Sequence, residues 1–358
     1  MYNQYLRDDL KSIKAYDAEQ EPYRLKLNAN ESAFPLPLEI RAELTKELLD
    51  GIEYQYYPDT NADGLRGAIA SRLKVERENI LIGNGSDELL QIISTAFAGE
   101  GDKVLCPSPG FGMVSYYTKL AGATPVNYDL DDRFQYSIAG IQQAIAAHRP
   151  KILHICTPNN PAGCIMPIAD IVALAQGFDG VVVVDEAYYE FWGESMVPMI
   201  DKCPNVVVLR TFSKAFGIAG LRVGYLISNK SLTGEIYKIK SPYNVNTFSQ
   251  RVAELLLKHI GVYEDRVYKT KRAREELFKA LAGLKGVNPY PSQANFILVK
   301  VANSQAVYKG LLNKGILVRD FIGHPVLHNH LRITVSRIED NEFILRSMAE
   351  AITNMEGW

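Results

Sequence analysis

Between Asn79 and Ser228 the chain repeats one theme: a short β-branched run, then a polar or Gly/Pro-rich turn. The runs are Ile80–Ile82, Lys103–Cys106, Lys151–Cys156, Val181–Val184, Val206–Leu209 and Val223–Ile227. Several are apolar on successive residues instead of alternating, the signature of strands covered on both faces in a parallel sheet. Helix-like segments such as Glu88–Phe97 and Ile168–Gln176 fall between some of them. The expected fold class is therefore α/β, with a large domain whose mostly parallel sheet is covered by helices.

After Ser231 the character changes. Asn246–His259 and Val262–Leu281 read as amphipathic helices, and Asn295–Lys300, Ile316–Arg319 and Leu331–Thr334 as strands around a final helix, Glu339–Thr353. The 358 residues thus divide into an N-terminal arm (1–32), a large domain (33–245) and a smaller α+β C-terminal domain (246–358). Lys269, Lys271, Arg272 and Arg274 form a basic cluster, best read as a solvated face with acidic partners. With 39 Lys+Arg against 41 Asp+Glu, there is no basic excess to draw in nucleic acid or an anionic membrane. No apolar run reaches the roughly 20 residues of a bilayer span. The N-terminus lacks an apolar leader core, and the four cysteines have no C-x-x-C spacing, so a reduced cytoplasmic protein is expected.

Ligands of open α/β sheets sit at the carboxyl ends of the strands, so the residues following each run belong together. They are Gly83–Asp87, Pro107–Gly112 with Phe111, Thr157–Pro161, Asp185–Tyr188 and Thr211–Lys214. The Gly83-Asn84-Gly85-Ser86-Asp87 turn carries Glu88 where a dinucleotide fingerprint needs a third glycine. The amides of Gly85, Ser86 and Asp87 could still hold one phosphate at a helix start; a plain N-cap by Ser86 or Asp87 is the alternative. Asp185 follows four valines, where an ionised carboxylate needs a partner: an arginine, or a protonated ring nitrogen. Asn160, before Pro161, reads alone as a turn residue and Tyr188 as packing. Lys214 is the sharpest signal, in Ser213-Lys214 followed by Gly220-Leu221-Arg222-Val223-Gly224. A lysine in a partly apolar pocket near other cations loses proton affinity and becomes a Schiff-base nucleophile.

These residues carry a resemblance. The chain resembles the fold-type I pyridoxal-phosphate aminotransferases, and within them the histidinol-phosphate aminotransferase branch. The match runs through KLNANES (26–32), YPD and NADGLR (57–66), GNGSDELL (83–90), TPNNPAG (157–163), VVDEAYYEF (183–191), RTFSKAFGIAGLRVGY (210–225), SPYNVN (241–246), QANFILV (293–299), GILVRDF (315–321) and LRITVS (331–336). The resemblance implies pyridoxal 5'-phosphate as cofactor, with Lys214 as the Schiff-base lysine and Asp185 on the pyridine nitrogen. Tyr188 and Asn160 would hold the phenolic oxygen, and Phe111 would stack on the ring. Ser86, Asp87, Thr211, Ser213 and Arg222 would grip the phosphate. Tyr57 matches a tyrosine that reaches the neighbouring subunit's phosphate, implying a homodimer with shared sites.

Substrate contacts implied in the same way are Arg332 and Arg319, with Tyr16 and Asn30 as additions. The implied reaction moves the amino group of L-histidinol phosphate to 2-oxoglutarate, giving imidazole-acetol phosphate and glutamate in histidine biosynthesis. An aromatic aminotransferase or a threonine-phosphate decarboxylase shares the motif set. A non-enzymatic regulator built on the same body is the reading from another class; it would lack use for both Lys214 and Asp185. His324, His328 and His330 lie close together, but without the supporting carboxylates of a zinc site. They read as a loop near the substrate mouth, and no metal is expected.

Overall fold

The computed structural model describes residues 3–11, 13 and 21–356. Its larger sheet has seven strands in the order β2-β8-β7-β6-β5-β3-β4. These are β2 (Ile80–Asn84), β3 (Lys103–Ser108), β4 (Thr124–Asp129), β5 (Ile152–Cys156), β6 (Val181–Asp185), β7 (Val206–Thr211) and β8 (Val223–Ser228). Six point the same way; β8 alone runs antiparallel to both its neighbours, β2 and β7. The α/β expectation holds, with one reversed strand.

The unbroken valine runs are explained by two cores. Val182, Val184, Val206 and Val208 face one apolar cluster, whereas Val181, Val183, Val207 and Leu209 face another across the sheet. Because strand side chains alternate between faces, helix cover on both sides demands an apolar residue at every position.

A second sheet of five strands has the order β1-β11-β12-β10-β9, with β1 (Leu25–Leu27), β9 (Val287–Pro289), β10 (Phe296–Val301), β11 (Ile316–Asp320) and β12 (His330–Thr334). The N-terminal segment supplies the edge strand β1, paired parallel to β11. The helix Ile260–Ala282, with 23 residues about 35 Å long at 1.5 Å per residue, ties the sheets together. Its Tyr263 is buried with the large-sheet core, and Ala273, Leu277 and Leu281 with the small-sheet core. The basic cluster on this helix is only partly a solvated face. Lys269 pairs with Asp265 and Arg272 with Glu276, but Arg274 is buried and donates to the Ala294 carbonyl, 3.0 Å away. Among the described residues no helix is long and apolar enough to cross a membrane.

Candidate active site

Three strand ends of the large sheet and the start of β8 build one rim. Asp185 is the last residue of β6 and Thr211 the last of β7, and Gly85 opens the helix that follows β2. Since β8 runs backwards, Arg222, which precedes it, arrives at this same edge.

Asp185 is buried, and its Oδ1 accepts a 3.0 Å hydrogen bond from the Ala187 amide. No ion-pair partner lies within 4.0 Å of it among the described residues. Burial pushes its carboxyl up to about 7, only partly opposed by that amide, with Asp87 and Glu186 adding to the rise. Lys214 Nζ donates to the Ala29 carbonyl at 2.8 Å and stands 6.0 Å from the Tyr188 ring centroid. Burial, then the Arg332 charge, brings the lysine down to about 8. The rim thus holds an amine with weakened proton affinity and a carboxylate that has no ion-pair partner within 4.0 Å among the described residues.

The raised Asp185 has a measurable consequence. Its folded value of about 7 lies above the ordinary 3.8, so the folded state holds the proton more tightly. The stability this lends is full below the ordinary value and is lost as pH climbs through about 7. Asp185→Asn should therefore stabilise the cofactor-free protein by roughly 1–3 kcal/mol at about pH 8 and hardly at about pH 4. Thermal melting of both proteins at the two pH values tests this; an equal shift at both contradicts it.

Residues 28–30 pass directly over the rim. Asn28 offers its carbonyl to Arg332 Nη2 at 2.6 Å, Ala29 its carbonyl to Lys214, and Asn30 Nδ2 donates to the Tyr188 hydroxyl at 2.8 Å. Asn30 is itself clamped. Its amide donates to Thr334 Oγ1 (2.9 Å), its Oδ1 accepts from the same hydroxyl (3.2 Å), and its carbonyl accepts from Asn295 Nδ2 (3.0 Å). Asn30, implied as a substrate contact, stands at this rim with its side-chain Nδ2 on the Tyr188 hydroxyl. Asn295 and Thr334 were not singled out, although both stand in the QANFILV and LRITVS segments.

Tyr188 is buried edge-on against Phe296, with ring centroids 5.1 Å apart. Burial raises its hydroxyl pKa, and the Arg332 charge partly restores it. Arg332 also hydrogen-bonds Asn160 Oδ1, so Asn160, Arg332, Tyr188, Asn30 and Lys214 form one connected group. On β12, Leu331 and Ile333 enter the small-sheet core, so alternation turns Arg332 toward the rim. Arg319 on β11 is its direct cross-strand partner and shares that face.

The helix Gly85–Phe97 begins beside β8. Arg222 Nη2 meets Asp87 Oδ2 at 2.9 Å, and Arg222 Nη1 reaches Ser213 Oγ at 3.5 Å. This pair is half-exposed and holds the guanidinium weakly. Thr211 Oγ1 accepts from the Ser213 amide at 3.1 Å. Gly85 has φ +78°, and a Cβ there would sit 2.5 Å from the Arg222 guanidinium. A Cβ on Gly224 would lie 2.4 Å from the Ser86 nitrogen. That is backbone and cannot swing aside, so Gly224→Ala should cost roughly 1–3 kcal/mol and weaken anion binding at Ser86. Melting temperature and cofactor titration would show both; wild-type values for both would refute the close-approach argument.

The donor set fits a phosphorylated, protonated pyridine: a cup of helix-start amides, two hydroxyls and an arginine, and a buried carboxylate lacking a cation. Phe111 stands half-buried ahead of the helix Gly112–Leu120 and packs on one of the sheet's cores. Tyr57 is 79% exposed and stacks on Tyr243, centroids 4.4 Å apart and planes at 14°. Tyr16 lies outside the described residues. The histidines are engaged locally: His324 Nδ1 accepts from the Val326 and Leu327 amides at 3.2 Å, and His330 bonds the His328 carbonyl at 2.8 Å.

Comparison with known proteins agrees with this geometry. The aminotransferase class I and II family matches residues 24–347. The histidinol-phosphate aminotransferase of Caldanaerobacter subterraneus subsp. tengcongensis is 42% identical over 353 residues, 99% of this chain and 100% of that protein. That of Thermoanaerobacter pseudethanolicus is 41% identical over 98% of this chain and 100% of its own. Among solved structures, histidinol-phosphate aminotransferase from Sinorhizobium meliloti in complex with pyridoxal-5'-phosphate superposes with TM-score 0.85 at 24% identity, covering 93% of this chain and 92% of that one. L-threonine-O-3-phosphate decarboxylase from Porphyromonas gingivalis superposes with TM-score 0.81, also at 24% identity, covering 93% and 99%. The fold alone therefore does not choose the reaction.

Proposed function

The chain belongs to the class I and II aminotransferases, and we propose that it is a pyridoxal-phosphate enzyme transferring the amino group of L-histidinol phosphate to 2-oxoglutarate. One observation carries the reaction class: a lysine lowered to about 8 and a buried, cation-less carboxylate share one rim. The donor assignment is supported by the full-length relatives at about 40% identity and by the Arg319/Arg332 pair. Two adjacent guanidiniums suit a phosphate in one half-reaction and a carboxylate in the other.

In this reading Lys214 and Asp185 would hold the cofactor, and Asn160 and Tyr188 would hold its phenolic oxygen. Phe111 would stack on the ring, and Ser86, Asp87, Thr211, Ser213 and Arg222 would hold the phosphate. When bound, the cofactor supplies an electron sink for charge developing at the donor's Cα. Lys214 Nζ takes the proton from that Cα, and an amine lowered to about 8 is neutral often enough near neutral pH to do so. Asp185 would keep the ring nitrogen protonated. Asn30 fixes the Tyr188 hydroxyl from behind. Arg332 and Arg319 orient the donor, with Tyr16 as an added contact. Tyr57, exposed in the single chain, completes the site of a second subunit in a cytoplasmic homodimer.

Amino-donor profiling of the pure protein tests the assignment. L-Histidinol phosphate should exceed phenylalanine and tyrosine in kcat/KM, with 2-oxoglutarate required for turnover. Preference for an aromatic amino acid, or CO₂ release from threonine phosphate without an oxo acid, would overturn it.

A further inference from the structure

A separate cavity of about 220 Å³ lies between the helix Asp63–Leu73, the start of the helix Ile260–Ala282 and strands β7 and β8. Its wall is aromatic and aliphatic, with Phe216, Tyr225 and Tyr263 beside Ile69 and Leu257. Asp185, Lys214, Asn160 and Arg332 do not line it. It does touch Tyr189–Glu190 and Ala215–Phe216, the residues next along the chain from Tyr188 and Lys214.

The charges in and behind this wall do not cancel. Arg210 is committed to Glu186, with Nε and Nη2 at 3.0 and 2.9 Å from one carboxylate oxygen. Its Nη2 also donates to Ser195 Oγ at 2.7 Å, and the guanidinium lies over the Tyr189 ring, whose centroid is 3.5 Å away. Arg72, at the open side, pairs with Glu264 at 3.3 Å. Of Glu186, Glu264 and Glu190, the last has no ion pair within 4.0 Å among the described residues, although the Arg210 and Arg72 charges both act on it. Burial, only partly opposed by Arg210, lifts its carboxyl to about 7. A carboxylate at an aromatic wall without a direct ion pair gains from a cation placed in contact with it.

The chemistry selects the occupant. An anion meets Glu190 with no spare guanidinium to receive it. A hard metal ion would find one carboxylate among carbon walls, far short of the oxygen shell it requires. An organic cation gains on both counts, pairing with Glu190 and lying against ring faces that attract positive charge. We propose that this cavity is a binding site for a small organic cation with a flat apolar body, separate from the amino-donor site.

The holoenzyme can be titrated with benzyltrimethylammonium, which has no N–H and so cannot form an imine. Binding is read by calorimetry and by the fluorescence of Trp192, two residues beyond Glu190. Saturable binding that persists in excess amino donor is expected. Glu190→Gln should weaken it about ten-fold or more, and Val267→Trp, which fills the cavity, should abolish it. Both variants should retain the wild-type turnover, and should one fail to fold, the other decides. Absence of saturable binding, displacement by the donor, undiminished affinity in the variants, or equal affinity for uncharged benzyl alcohol would each overturn the proposal.

Discussion

Lys214→Ala is expected to lower turnover by at least ~10⁴-fold, since it removes both the covalent anchor and the group that moves the Cα proton. The same substitution should abolish the visible absorbance band of the cofactor-loaded protein. Both effects follow from where the amine sits. Its proton affinity is set by burial and by Arg332, and its position by the Ala29 carbonyl. Lys214→Arg tests the distinction between charge and nucleophile: a guanidinium remains protonated and cannot substitute, so its activity should be equally low. Survival of either the absorbance band or near-normal turnover in Lys214→Ala would remove the basis of the reaction assignment.

Asp185→Ala should reduce turnover by about 10²–10³-fold, the range for losing one preorganised electrostatic partner, while the cofactor remains bound through Lys214 and the phosphate cup. The contrast with Lys214 is informative. Asp185 acts on charge in the ring and touches no substrate, so the loss should fall on kcat more than on KM. A variant with unchanged kcat, or one that no longer retains cofactor, would contradict that division of labour. Asp185→Asn should slow turnover while raising the melting temperature of the cofactor-free protein above neutral pH. The site accepts a destabilised carboxylate because a bound cation is to compensate it.

The rim was legible in the sequence to an unusual degree, and particular residues show why. Val181–Val184 is apolar at every position because two cores need it, and a polar residue immediately after such a run can only be at the strand's end. Asp185, Thr211 and the Gly85–Asp87 turn were located by that logic. β4 was not recognised, because it is an edge strand, half exposed and containing Pro125. Without a neighbour on its outer side it has neither an apolar run nor regular alternation. Arg332 and Arg319 stood out as residues, but that they are cross-strand partners on the rim-facing side depends on the β11–β12 register.

The chain alone determined the class of fold, the positions of the buried strands of the large sheet and the side chains available at their ends, because burial on two faces and turn chemistry are local properties written residue by residue. Tertiary structure decided three things that local pattern cannot hold. It reversed β8, which carries Arg222 to the rim. It drew residues 28–30 across the site, where they secure Lys214, Tyr188 and Arg332. It also set the proton affinities of Lys214 and Asp185, since desolvation and nearby charge arise only when segments far apart in sequence pack against one another.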